Sequence, residues 1–335
     1  MFKIFDEKIN GILLVIIFPF LLFLMSYYGF ESSYIGMKDM EKAPDFMFSS
    51  VYAYRVIPNF LSVHVTEAVT YAVDHFLPFT KSFLLKNGTL FYHSTFLINV
   101  VFFIASSIIL NTIFKFNTAK ILLNVNIRRV VHLLAVFFMV IVQYVPTNCD
   151  SIAIFFYVWG MLLTLRYFHF RKNKDLIGLS LIIVVSTFVR ETACLNIAFF
   201  GALFISLKEL TKGKVTHWKE VLFLVISFIV PYIILRLMIR QDASFFEGIY
   251  IVKNFTSPYN LAGLLFGAIG FYLTYKLCEK DNKEVLKKYL FFSSPYLLMI
   301  TLVGIFWEAR LFLPLILTGF AVASHQFKNI IPSNS

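Results

Sequence analysis

The chain has 335 residues, 59% of them hydrophobic and only 15% charged, with a mean hydropathy of +0.77 and a net charge of +11. A water-soluble fold carries about a quarter charged residues, and so much apolar side chain, 41 Phe included, cannot be covered by the polar surface that remains. A soluble globular protein is excluded, and so is a nucleic-acid binder, because the Lys and Arg sit in short stretches between apolar runs and form no separate basic stripe.

A bilayer-spanning helix needs about 20 apolar residues, since roughly 30 Å of hydrocarbon is crossed at about 1.5 Å per residue. The runs that qualify, in chain order, are 9–30, 87–114, 130–149, 151–168, 176–190, 192–207, 221–240, 254–275, 289–307 and 310–327. They predict an all-α, polytopic transmembrane bundle of about ten helices in a single membrane domain over 1–335. The first run follows Lys3 and Lys8, and it is too long for the apolar stretch of a signal peptide, so an uncleaved first helix is expected. The runs 176–190 and 192–207 are short and separated only by Arg190 and Glu191, which predicts a tight helical hairpin.

With the N-terminus placed inside, the inside segments hold two thirds of the 30 Lys and Arg. The positive-inside rule therefore puts both termini on the cytoplasmic side of a plasma (inner) membrane. The longest outside segment is 31–86. Within it, 59–77 has helical period, with His64, Glu67, Tyr71, Asp74 and His75 on one face and Leu61, Val65, Ala68, Ala72 and Phe76 on the other. Such a helix is expected to lie in the membrane interface. The polar face is read as solvated, and no metal site is assigned; the three cysteines, 149, 194 and 278, show neither zinc nor redox spacing. A divalent metal is compatible with the chain but nothing in it points to one, so no cofactor is expected.

Charges beside hydrocarbon are costly, and those that persist at helix ends usually pair or act. Four sets stand out: Glu31, Asp150, Arg190 with Glu191, and Glu308 with Arg310. All fall on the outside face. Each has a plain structural alternative: Glu31 as an interface anchor, Asp150 as the N-cap of its helix, Arg190–Glu191 as a local ion pair across the hairpin, and Glu308–Arg310 as a pair anchoring the last helix.

The order of these pieces resembles the GT-C class of polytopic glycosyltransferases, in particular bacterial members of unassigned specificity. The matching segments are Glu31-Ser-Ser-Tyr34 followed by YAYRVIP (52–58), VPTNCD (145–150), RETACL (190–195) and EARLFLPLI (308–316). The resemblance covers most of the chain, although each motif is weak alone. The acid after the first helix is Asp in that class and Glu31 here, with Asp39, Glu41 and Asp45 behind it, and the resemblance does not extend to the soluble C-terminal domain that many members carry. The resemblance implies a lipid-linked sugar donor at the non-cytoplasmic face, with Glu31 or Asp39 taking the acceptor's proton. Arg55, Arg190 and Arg310 would hold the departing phosphate through their guanidinium forks, and Asp150, Glu191 and Glu308 would line the same site. A polysaccharide repeat-unit polymerase, a lipid or solute transporter (flippase) and a non-catalytic scaffold are the competing expectations. The partners expected are a lipid-linked donor and membrane lipids, with no nucleic acid.

Overall fold

A computed structural model describes residues 11–30, 32–49, 51–142, 149–213, 216–239 and 248–327. Regular structure among these residues is helical, apart from one isolated antiparallel bridge between Thr118 and His325. The principal helices are α1 (Leu13–Phe30), α2 (Val56–His75), α3 (Pro78–Asn87), α4 (Leu90–Lys115), α5 (Val125–Ile141), α6 (Cys149–Phe170) and α7 (Asn173–Thr187). They are followed by α8 (Cys194–Phe204), α9 (Trp218–Met238), α10 (Pro258–Leu277), α11 (Lys280–Phe292), α12 (Ser294–Val303) and α13 (Leu313–Ser324). Four of them, α1, α4, α6 and α9, are long and apolar enough to cross a membrane. The chain is a membrane protein.

Several apolar runs fold differently from their expected bounds, two of them for evident reasons. The run 289–307 is divided at Ser293 into α11 and α12, where Pro295 lacks the N–H that would continue the ladder and fits the first turn of a new helix. The run 130–149 begins five residues early, because Asn124 caps α5 by accepting from the backbone N–H groups of Asn126 and Ile127.

The last helix, α13, is the centre of the bundle. Every one of its residues is buried, and it touches α4, α5, α6, α10 and α11. Apolar side chains gain little by leaving lipid, so helices in a bilayer associate through close packing and small residues. The seam between α10 and α13 follows that rule. A Cβ on Gly267 would overlap the Phe312 ring, one on Gly270 would overlap Ile316, and one on Gly319 would overlap Thr274. Near the middle of α13, Thr318 bonds to the buried Tyr157 hydroxyl of α6, which lies 2.8 Å from the Tyr289 hydroxyl of α11. At the C-terminal end of α13, Asn282 donates to the carbonyls of Val322 (2.7 Å) and His325 (2.8 Å), and His325 Nδ1 donates to the Phe116 carbonyl (2.9 Å).

Helix α2 rests on the bundle through its first half. Ile57, Leu61 and Val65 pack on the buried cluster of Ile98 of α4, Ile152 and Ala153 of α6, and Val189, with Asn59 and Ser62 buried beside them. Further along the helix, on the same predicted lipid face, Ala68 and Phe76 are exposed. Its polar face holds His64 against Glu67 (2.9 Å), Asp74 against Lys81 of α3 (2.7 Å), and His75 stacked on Tyr71. Among the described residues no group of three or more His, Cys, Asp or Glu side chains converges on a metal position.

Candidate functional site

Three chain segments meet at one end of the bundle. Asp150 stands in the first turn of α6. Arg190 occupies a single extended position between α7 and the short turn Glu191–Ala193. Arg310 lies in the turn Ala309–Leu311 that leads into α13. All three side chains are buried, at 4%, 7% and 4% residual exposure respectively. Arg310 Nη1 donates to Asp150 Oδ2 at 2.6 Å, and Arg190 Nη1 donates to Asp150 Oδ1. Arg310 also grips Glu308 Oε2 through Nη2 (2.8 Å) and Nε (3.1 Å). Two buried cations thus face two carboxylates, and each charge is compensated, as burial demands.

A second layer lies beside this one. The Arg236 guanidinium of α9 sits 3.7 Å over the Tyr54 ring and 5.1 Å from that of Tyr232, and it pairs with Glu191 at 3.5 Å. Arg55 stacks over Tyr52 at 4.2 Å and acts through space on the Asp150 carboxylate. Its segment is tied to the α7 end by a hydrogen bond from Ile57 N to Phe188 O (3.2 Å). Among the described residues, four guanidiniums and three carboxylates therefore gather here. Asp150, Tyr157, Arg190, Thr192, Arg310 and Pro314 line a cavity of about 20 Å³. That space takes about one water molecule and is too small for a sugar or a phosphate without opening.

The turn that presents Glu308 and Arg310 is held by one buried amide. Asn254 donates to the carbonyls of Thr301 (3.2 Å) and Gly304 (2.8 Å) and accepts from Phe306 N (3.0 Å) and Asn260 Nδ2 (3.2 Å).

The structure brings together Asp150, Arg190, Glu308 and Arg310, with Arg55 and Glu191 in the adjoining layer. One sequence expectation is corrected. Arg190 and Glu191 do not pair with each other: the backbone at Arg190 is extended, with φ −166° and ψ 150°, so neighbouring side chains point apart, and their partners are Asp150 and Arg236. Asp150 lies in the first turn of its helix, and its carboxylate receives two guanidiniums. The Glu308–Arg310 pair forms as expected. Glu31 lies outside the described residues. Asp39 is exposed in the turn after the short helix Ser32–Ile35 and takes no part in the network. That turn is fastened to the start of α4 instead, with Thr89 N bonded to the Lys38 carbonyl at 3.0 Å. Sequence reasoning misses Arg236, Tyr54 and Tyr232 as site residues. The signal for Arg236 is a cation inside the apolar run 221–240, and Tyr54 stands within YAYRVIP (52–58); Tyr232 leaves none.

Fold and site define an all-helical membrane protein with a buried arginine–carboxylate network at one end of its bundle. No protein-family model, curated protein or solved structure matches the chain.

Proposed function

We propose that the chain is a membrane glycosyltransferase of GT-C type, moving a sugar from a polyprenyl-phosphate donor to an acceptor at the non-cytoplasmic face, as in surface polysaccharide or glycan assembly. In this reading the bundle crosses a plasma (inner) membrane about ten times with both termini cytoplasmic. The supporting observation is the convergence of Arg190 and Arg310, buried, on the single carboxylate of Asp150. A donor phosphate competes with Asp150 for the two forks, and Arg55 supplies a third cation. Bound phosphate opens the cavity, and a carboxylate of the 31–45 segment, Glu31 or Asp39, takes the acceptor's proton as the sugar–phosphate bond breaks. Asp150, freed from its partners, lines the site with Glu191 and Glu308. No resident cofactor enters this scheme.

The test uses the full chain in nanodiscs with a polyprenyl monophosphate and a labelled polyprenyl-phosphate sugar. Arg310→Ala alone takes a cation from two carboxylates and risks unfolding, so the informative variant is the charge-balanced pair Asp150→Asn with Arg310→Gln. Tight lipid-phosphate binding by the native chain, lost in a folded double variant, is expected. Equal binding by both removes the phosphate role. Glu31→Gln is expected to keep donor binding and lose sugar transfer; unchanged transfer removes Glu31 as the base.

The transporter reading draws on one observation, the hydroxyl cluster Tyr157–Tyr289–Thr318 deep in the bundle beneath the cavity. Movement of the lipid-linked sugar across the bilayer, with no sugar released to an acceptor, would favour it.

A further inference from the structure

Helix α3 carries an unusual surface. Phe76, Phe79 and Phe83 are 71%, 76% and 67% exposed, and Leu85 is 50% exposed. Phe79 and Phe83 are one turn apart and share a face. Thr80 and Leu84, on the neighbouring stripe, are half-buried against the protein. Three phenylalanines presented together are a costly surface in water.

Chain geometry fixes where this surface lies. Only Gly88 and Thr89 separate α3 from α4, one of the helices long enough to cross a bilayer. His93, in the first turn of α4, donates from Nε2 to the Leu84 carbonyl of α3 at 3.0 Å, and the Tyr28 hydroxyl of α1 donates to His93 Nδ1 at 2.9 Å. The α3 backbone is therefore fastened at the level where α4 begins and α1 ends. Lys81 and Lys86 flank the aromatic stripe, Lys81 held by Asp74 at 2.7 Å and Lys86 exposed.

We infer that α3, with Phe76 before it, is a membrane-surface anchor, seated in the headgroup–acyl boundary of the leaflet where α4 begins, with its phenylalanines in lipid and Lys86 reaching back to headgroup phosphates. The occupant of this surface is the bilayer itself. Aromatic side chains collect at that depth, and long cations snorkel from it. The anchor holds the far end of α2, whose near end carries Arg55 beside the ion network. The inference rests on the membrane reading of α1, α4 and α9, not on sugar transfer.

The experiment places nitroxide labels at Phe79→Cys and Phe83→Cys in the full chain, with Cys149 replaced by Ser, in nanodiscs of phosphatidylcholine and phosphatidylglycerol. Cys194 and Cys278 remain in place. Burial pushes the Cys278 thiol up to about 12, which leaves it almost without reactive thiolate. Collision with oxygen, which enters lipid, is compared with collision with a water-borne nickel chelate. Leu237→Cys on α9 gives the lipid reference and Glu67→Cys on α2 the water reference. Both α3 labels are expected to match the 237 label, with oxygen collisions several-fold favoured over those at 67. Labels at 79 and 83 that behave like the one at 67 overturn the inference. So do labels shielded from both reagents, which would mean a protein partner covers the face. A water-accessible label at 237 would instead bring down the membrane reading and the anchor together, while leaving the phosphate-binding test to stand on its own.

Discussion

Helices α13 and α9 are both apolar, yet they live in different surroundings. All of α13 is buried. In α9 only Leu224, Ser227, Pro231 and Leu235 are buried, a single stripe at helical spacing, while Leu237 and Met238 are 75% and 77% exposed. Their sequences differ in kind. LPLILTGFAVAS carries Gly, two Ala, Thr and Ser, whereas α9 has neither Gly nor Ala and bristles with Ile, Leu, Val and Phe. Small residues let backbones approach, hydroxyls find partners inside, and large aliphatic side chains are at no disadvantage in lipid. Hydrophobicity marks both helices as membrane-compatible, and side-chain size separates the one that faces protein from the one that faces lipid.

The comparison can be broken at both ends. The largest effect is expected from Gly319→Val in α13, where any Cβ collides with Thr274 of α10. A loss of about 3 kcal/mol, the upper end for overpacking, should appear as aggregation at lower temperature in detergent size-exclusion. A native-like profile would mean the α10–α13 seam is looser than described. Thr318→Val keeps the shape but removes one of the two hydroxyl partners of Tyr157, and should cost about 1 kcal/mol in thermal unfolding. Leu237→Ala on α9 should change stability by no more than about 0.5 kcal/mol, as for an uncovered surface position. A cost as large as that of Gly319→Val would show α9 covered by another protein surface, and the contrast between the two helices would vanish.

The helices were legible in the sequence because a long charge-free stretch is at home only in lipid or in a buried core, and in either place its backbone polar groups must pair within the segment. Their bounds were less so. Pro295 sits inside a run that hydropathy alone joins, and the Asn124 cap lies six residues before the apolar stretch it starts. At the site, Asp150, Arg190, Glu308 and Arg310 could each be picked out as charges at helix ends. Their convergence could not, since Asp150 is 40 residues from Arg190 and 160 from Arg310. Which neighbour Arg190 chooses depends on one extended residue, a local detail without a compositional signature. The exposed phenylalanines of α3 were hidden for another reason: the helical pattern draws the interfacial assignment to 59–77, and exposure is decided by what the bundle leaves uncovered.

The four hydrogen bonds of Asn254 have a mechanical corollary. They fix residues 301–306 to α10 and to the short helix before it, so the wall that carries Arg310 behaves as the stationary jaw of a vice. To admit the donor proposed above, the cavity would have to widen roughly tenfold or more, judging by the usual 300 Å³ or more of a ligand site. That movement then falls to the opposite jaw: the single extended residue of Arg190 and the Arg55 segment hydrogen-bonded beside it.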